Sequence, residues 1–223
     1  MKLIEKAILL AFILTVLFSF TGLTAGCEDI SNRVLRLHIL ANSDSAEDQA
    51  LKLKVRDRIL TECSGMLGSA TDREQAETMA AKNLEHIKAV AVDEIKKQGY
   101  QYPVNVELTN MYFNTREYNT VTMPAGNYDA LRVTIGKAEG HNWWCVIYPA
   151  MCLPAAEEPK ELSDVLNQNQ LQIVQGKGEF EIKFKSVEIY EELKSYFQGL
   201  QNGGKGNGKA IVVKPESQNC PAG

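Results

Sequence analysis

Catalytic apparatus is what this chain most conspicuously lacks. Its 223 residues hold only three histidines and five cysteines, and no two cysteines form a C-x-x-C pair. A tetrahedral metal set therefore has too few ligands to draw on. No G-x-S-x-G elbow, Asp-Thr-Gly or His-Glu-x-x-His string is present. Asp44, Glu47 and Asp48 form the one dense carboxylate group near a turn, but they lack the glycine-centred calcium loop, and the helix dipole alone favours acids there. Excess positive charge is missing too: 24 Lys and Arg against 28 Asp and Glu leave a net charge of −4 and a pI near 5.5. No global field favours nucleic acid. These absences predict no metal, no cofactor, no small-molecule substrate and no nucleic-acid partner.

Charge is absent altogether from Ala7 to Gly26, behind a short start in which Lys2 and Lys6 flank Glu5. That is the pattern of a secretory signal, and the uncharged run also suffices to cross a bilayer if it is never cut. Leu23-Thr24-Ala25-Gly26-Cys27 adds a third outcome, because small residues before a cysteine resemble a bacterial lipoprotein cleavage site. Cys27 is thus a lipidation candidate. Cleavage and release, lipid anchoring, and an uncleaved anchor all place the body of the protein outside the cytoplasm. Residues 1–26 are read as signal or anchor, 27–200 as a single α+β domain, and 201–223 as a flexible Gly-rich tail. Within that tail, Gly203 to Lys209 nearly spells a phosphate loop, but Ala210 stands where Ser or Thr should hold magnesium.

What is present centres on Pro124 to Leu153. A Pro-Ala-Gly turn leads into an alternating strand, then a polar glycine-flanked bend, then a strand opening with Trp143 and Trp144, both tryptophans of the protein. Neighbouring side chains on a strand face opposite ways, so if Trp143 enters the core, Trp144 must stand on the other surface. Cys145 and Cys152 are the disulfide candidate, since the Tyr-Pro-Ala-Met between them can reverse the chain. On one continuous strand they would lie about 20 Å apart and could not bridge.

Elsewhere, Arg33 to Ala41 reads as a strand. Ser45 with Asp48 three residues on reads as the cap of a helix running to Gly65 or Gly68. Lys52, Lys54, Arg56 and Arg58 line that helix, and Asp48 and Lys52 are spaced to pair along it. A second long helix is expected from Thr71 or Asp72 to Gln98, with Gly99 as its stop. From Tyr100 the chain turns β-rich, which suggests an antiparallel sheet or meander packed against the two long helices. A hairpin of Leu171–Val174 with Phe180–Phe184, and a last helix from Ser186, complete the expected α+β fold. Two enzymatic or structural alternatives remain: a cell-envelope thiol hydrolase using Cys145 and His141, and a lipid-anchored structural envelope protein.

Two blocks resemble the stage II sporulation protein R family. The first is Arg36 to Asp57, with Ala41-Asn42-Ser43-Asp44-Ser45, Asp48-Gln49, Lys52 and Val55-Arg56-Asp57. The second holds Pro124-Ala125-Gly126, Tyr128, Ala130-Leu131-Arg132, Ile135-Gly136, Asn142-Trp143-Trp144-Cys145-Val146, Pro149 and Cys152. The resemblance spans Arg33 to Leu153. It implies a non-enzymatic signalling protein made in the forespore and exported to the space between the two sporulation membranes. There it would activate a membrane-embedded aspartic protease that matures the mother-cell sigma factor. Family pattern and the enrichment of Trp and Arg at binding hot spots together nominate the partner-binding residues. They are Arg36, Asn42, Asp44, Asp48, Lys52, Arg56, Arg132, Asn142, Trp143 and Trp144.

Overall fold

A computed structural model describes residues 3–118, 121–149 and 162–175, together with Ile189. The chain divides into two compact units, one made of Asp29–Tyr112 with Asn127–Gln168, the other of Met1–Glu28, Phe113–Gly126 and Asn169–Gly223.

The first of these units is an α+β body. Its sheet has the order β2-β5-β1-β6, with β2 Val104–Phe113, β5 Gly126–Ile135, β1 Leu35–Leu40 and β6 Asn142–Tyr148. All six residues of β1 are buried, which suits a central strand covered on both faces. β1 runs parallel to β5 and antiparallel to β6. The expected meander is therefore corrected to a mixed sheet: β1 comes first in sequence but inserts between β5 and β6. Glu107 meets Arg132 and Asn110 meets Asp129, so sequence numbers rise along β2 as they fall along β5, and that pair is antiparallel.

Three helices, α2 Ala46–Leu67, α3 Arg73–Lys82 and α4 Leu84–Lys97, pack with one face of the sheet in a common apolar core. Leu37, Ile39, Leu131, Val133, Cys145 and Ile147 from the strands meet Leu51, Val55, Ile59, Ile87 and Ala91 from the helices there. α2 starts as expected, with the Ser45 hydroxyl accepting the Asp48 N–H at 3.1 Å. The second long helix is instead two. Asn83 sits at φ −114° and turns its side-chain amide back to the Met79 carbonyl at 2.7 Å. A side chain competing for backbone groups in this way interrupts a helix. Asp72 caps α3 by accepting the Gln75 N–H at 2.8 Å.

The other unit contains most of α1 (Leu3–Ser31) and a two-stranded antiparallel ribbon of β3 (Arg116–Tyr118) and β4 (Val121–Met123). It also holds most of α6 (Gln168–Gln175). A Cβ at Gly26 would lie 2.9 Å from Ile173 Cδ1, so α1 and α6 approach closely there. α1 includes the whole uncharged stretch and exposes Ile4, Ile8, Leu9, Leu10, Phe12 and Leu14. Among the described residues no helix is long and apolar enough to cross a membrane. Leu171–Val174 is helical, not a hairpin strand: Val174 and Gln170, four apart, are its buried side. A short helix, α5 (Leu162–Val165), precedes α6 in the chain. Cys152, Phe180–Phe184, the helix expected from Ser186 and the Gly-rich tail lie outside the described residues.

Candidate recognition site

The strand directions bring four chain segments to one end of the sheet: the ends of β1 and β5 and the starts of β2 and β6. The loop after β1, Ala41-Asn42-Ser43-Asp44-Ser45, leads there into α2, and the turn from Gly136 to His141 joins β5 to β6. The two sequence blocks noted above meet at this point.

Asp48 is the hub. It is 5% exposed, and its Oδ2 accepts from Asn42 Nδ2 at 2.8 Å and from Ser43 Oγ at 2.6 Å. Burial alone would raise its pKa, but the bonds from Ser43, Asn42 and the Tyr102 hydroxyl outweigh that and hold it below the usual carboxylate value. Asn42 also accepts the Lys137 N–H at 3.0 Å through its side chain, and its carbonyl accepts the Glu139 N–H at 3.2 Å. Ser43 Oγ caps the Ser45 N–H at 3.2 Å, and Gln49 returns to the Ser43 carbonyl at 2.9 Å. Lys52, 1% exposed, donates to Gln49 Oε1 at 2.6 Å and to the His141 carbonyl at 2.9 Å. Asp44 accepts the His141 N–H at 2.6 Å and pairs with its ring Nδ1.

Two glycines permit this docking. Gly136 adopts φ +60°, and a side chain there would overlap Asn42. At Gly140 a Cβ would overlap the Ser43 carbonyl. The loop and the turn are thus in backbone contact, locked by side chains that satisfy buried polar groups.

β6 starts from this locked turn, and its alternation separates the tryptophans as expected. Trp143 packs at the margin of the helix-side core, with the Arg56 guanidinium 4.2 Å from its ring centroid. Trp144 faces the other surface, where it stacks on the His38 ring at a centroid distance of 4.0 Å and an interplanar angle of 8°. His38 Nε2 bonds Asn142 Oδ1 at 2.7 Å, and Arg132 lies opposite His38 across the sheet. Arg132 in turn pairs with Glu107 at 3.0 Å. Glu107, Arg132, His38 and Trp144 therefore form one row across all four strands. Burial lowers the His38 pKa to about 4, with Arg132, Arg36 and Lys52 adding in the same direction, against the Asn142 bond.

The profile of the family described as "Stage II sporulation protein R (spore_II_R)" matches residues 31–158, more than half of the chain. The chain belongs to the stage II sporulation protein R family. It is similar to the stage II sporulation protein R of Bacillus subtilis (strain 168), with 34% identity over 158 residues, covering 67% of this chain and 70% of that one. No solved structure matches. The stretch shared with the family contains the whole loop, hub, turn and tryptophan strand, and it makes this chain a sporulation protein.

The nominated residues fall into two sets. Arg36 is fully buried with its guanidinium 4.8 Å from the Tyr128 ring centroid, and Asp48 and Lys52 are buried in the hub. All three are interior: Arg36 lies over the Tyr128 ring, Asp48 accepts from Asn42 and Ser43, and Lys52 donates to Gln49 and His141. Asn42 and Arg56 are partly exposed but occupied, in the hub and over Trp143. Asp44 is exposed, and Asn142, Trp143 and Trp144 on β6 and Arg132 on β5 are partly exposed. Lys52 turns to Gln49 and His141, while Asp48 is taken up by Asn42 and Ser43, in place of the Asp48–Lys52 pair expected from spacing.

The thiol pair proposed for a hydrolase is also corrected. Cys145 is buried and disulfide-bonded, so it has no thiolate to offer, and the His141 ring is turned to Asp44. Cys27 and Cys63 are outside any disulfide, so the partner of Cys145 lies outside the described residues. Cys63 is a buried core thiol pushed up to about 12 by desolvation. Sequence reasoning missed His38, Ser43, Gln49 and the two docking glycines as members of this site. The glycines flanking a polar bend were the available signal.

Proposed function

We propose that this protein is an exported, non-enzymatic sporulation signal. A membrane-embedded aspartic protease recognises it and is thereby switched on to process the mother-cell pro-sigma factor. The observation that carries the reading is family membership across residues 31–158, the region that holds both motif blocks. Two further features support it. The disulfide at Cys145 removes the nucleophile an envelope thiol hydrolase would need. α1 exposes large apolar side chains at Ile8, Leu9, Leu10 and Phe12, on more than one side of the helix, as suits an export signal or lipid anchor more than a water-facing helix.

The contact face we favour is the open end of the sheet: Asp44, Asn142, Trp144 and Arg132. Trp144 is its anchor, an indole on a rigid strand with its other face held by His38. The hub behind it fixes that strand without itself touching the partner.

Trp144→Ala tests this in a sporulating cell, with sigma-factor processing followed alongside the amount of exported protein. Processing should fall at least tenfold at normal protein level, the scale of a hot-spot loss. Normal processing at normal level would remove Trp144 from the contact. A parallel Asp48→Ala should lower the amount of folded protein instead, separating contact from support.

A further inference from the structure

Arg132 and Asn142, which share the strands of the contact face with Trp144, both offer a partner hydrogen-bond donors. The Arg132 side chain is 30% exposed and meets Glu107 through Nη1, at 3.0 Å. Its Nε has no acceptor among the described residues. A guanidinium fork is built for two parallel bonds to one carboxylate, so part of this fork is unused. Asn142 turns its Oδ1 to His38 Nε2 at 2.7 Å. An amide oxygen can only accept, so the His38 ring donates from Nε2, and that contact leaves both donors of the Asn142 NH2 unclaimed. The acids here are already engaged: Glu107 by Arg132, and Asp44 by the ring and N–H of His141. The charges acting most strongly on the His38 ring, Arg132, Arg36 and Lys52, are all cations. Trp144 is stacked on that ring.

We propose that this face takes an acidic segment of the partner protein, with Arg132 holding a carboxylate of that segment in the place Glu107 now occupies. The inference rests on the reading of this face as the contact, and it adds the chemistry of what is contacted. Glu107 is a stand-in: its side chain is 42% exposed, so it can return to water when another carboxylate arrives. An exposed pair of this kind contributes little, and exchanging one carboxylate for another costs little. Asn142 takes a further oxygen of the same segment through its NH2, and Trp144 supplies the apolar anchor. A protein segment fits better than a lipid headgroup. Anionic membrane surfaces are held by clusters of four or more basic side chains, whereas Arg36 and Lys52 are buried and leave Arg132 as the accessible cation of the row.

Charge exchange on the full chain in a sporulating cell tests this, with expression set by an inducible promoter. Sigma-factor processing is followed against the amount of folded, exported protein. Glu107→Gln removes the competing carboxylate, so half-maximal processing should need about two- to fivefold less protein, the range of an exposed ion pair. Arg132→Glu should need at least tenfold more, the scale of a hot-spot loss. Combining Glu107→Arg with Arg132→Glu keeps an internal pair but moves the cation, and the double variant should stay as poor as Arg132→Glu alone. Processing restored in the double variant, or a Glu107→Gln protein needed at the parent level or above, would overturn the proposal and make the pair structural. Suppressors of Arg132→Glu should be acid-to-base changes in the protease. Suppressors confined to lipid synthesis would overturn it in favour of an anionic headgroup. Loss of processing with Trp144→Ala beside normal processing with Arg132→Glu would strike the acidic partner and keep the contact face. Normal processing with Trp144→Ala would strike the face and this inference with it.

Discussion

His38 is a buried, neutral ring between a tryptophan face and an asparagine amide, and its titration has a definite sign. In the unfolded chain it binds a proton near pH 6.5, but in the folded chain only near pH 4. Its contribution is therefore intact above pH 6.5 and erodes as pH falls toward 4, because the unfolded state takes up the proton first. At about 1.4 kcal/mol per pH unit the loss reaches roughly 3 kcal/mol. Urea unfolding at pH 7, 5.5 and 4 should show this decline in the parent and a flatter profile in His38→Gln. Parallel profiles would assign the decline to other groups. Asp48 acts in a separate window: its folded-state pKa lies below 3.8, so its contribution is present above that pH and is lost only as pH falls further. Neither behaviour was legible in the sequence. A histidine in a strand of alternating Leu and Arg announces neither its stacking partner from β6 nor the burial that neutralises it.

The element that decides the site is the turn between β5 and β6, and its docking depends on Gly140 having no side chain. Gly140→Ala would push a methyl group into the Ser43 carbonyl and displace the turn from the loop before α2. A loss of about 1–3 kcal/mol is expected, together with weaker stacking of Trp144, visible as a change in its near-ultraviolet circular dichroism. Unchanged stability would mean that the turn is not seated on the loop. Ser45→Ala should cost about 1 kcal/mol through the cap alone, measured by the same unfolding series, without that spectral change. The start of α2 could be read from five consecutive residues because a cap is local chemistry. The break at Asn83 could not, since the apolar stripe on either side of it continues without a flaw. The helical state of Leu171–Val174 also escaped the sequence reading, because a four-residue apolar run fits a strand or a helix side equally well.

For the whole molecule, the disulfide at Cys145 leaves that residue no free thiol for the chemistry of a thiol enzyme. Cys145→Ala should lower stability by about 2–5 kcal/mol and reduce sigma-factor processing only in proportion to the folded protein remaining. Loss of processing at full protein level and full stability would return the thiol to a chemical role. At this scale the cysteine, the tryptophans and the hub act together: the apolar core fixes the sheet, the sheet aligns its strand ends, and the aligned ends present the open face.

By itself the sequence determined the class of the fold, the uncharged N-terminal stretch, the capped start of α2 and the opposite facing of the two tryptophans. Each of these follows from local chemistry or from a period of two or three and a half residues. Tertiary structure alone decided the place of β1 between β5 and β6, and with it the meeting of two motif blocks about ninety residues apart. It also decided which charges are interior. Arg36, Asp48 and Lys52 look like surface residues in a list of letters, and only the packing around them buries them and gives their charges partners within the chain.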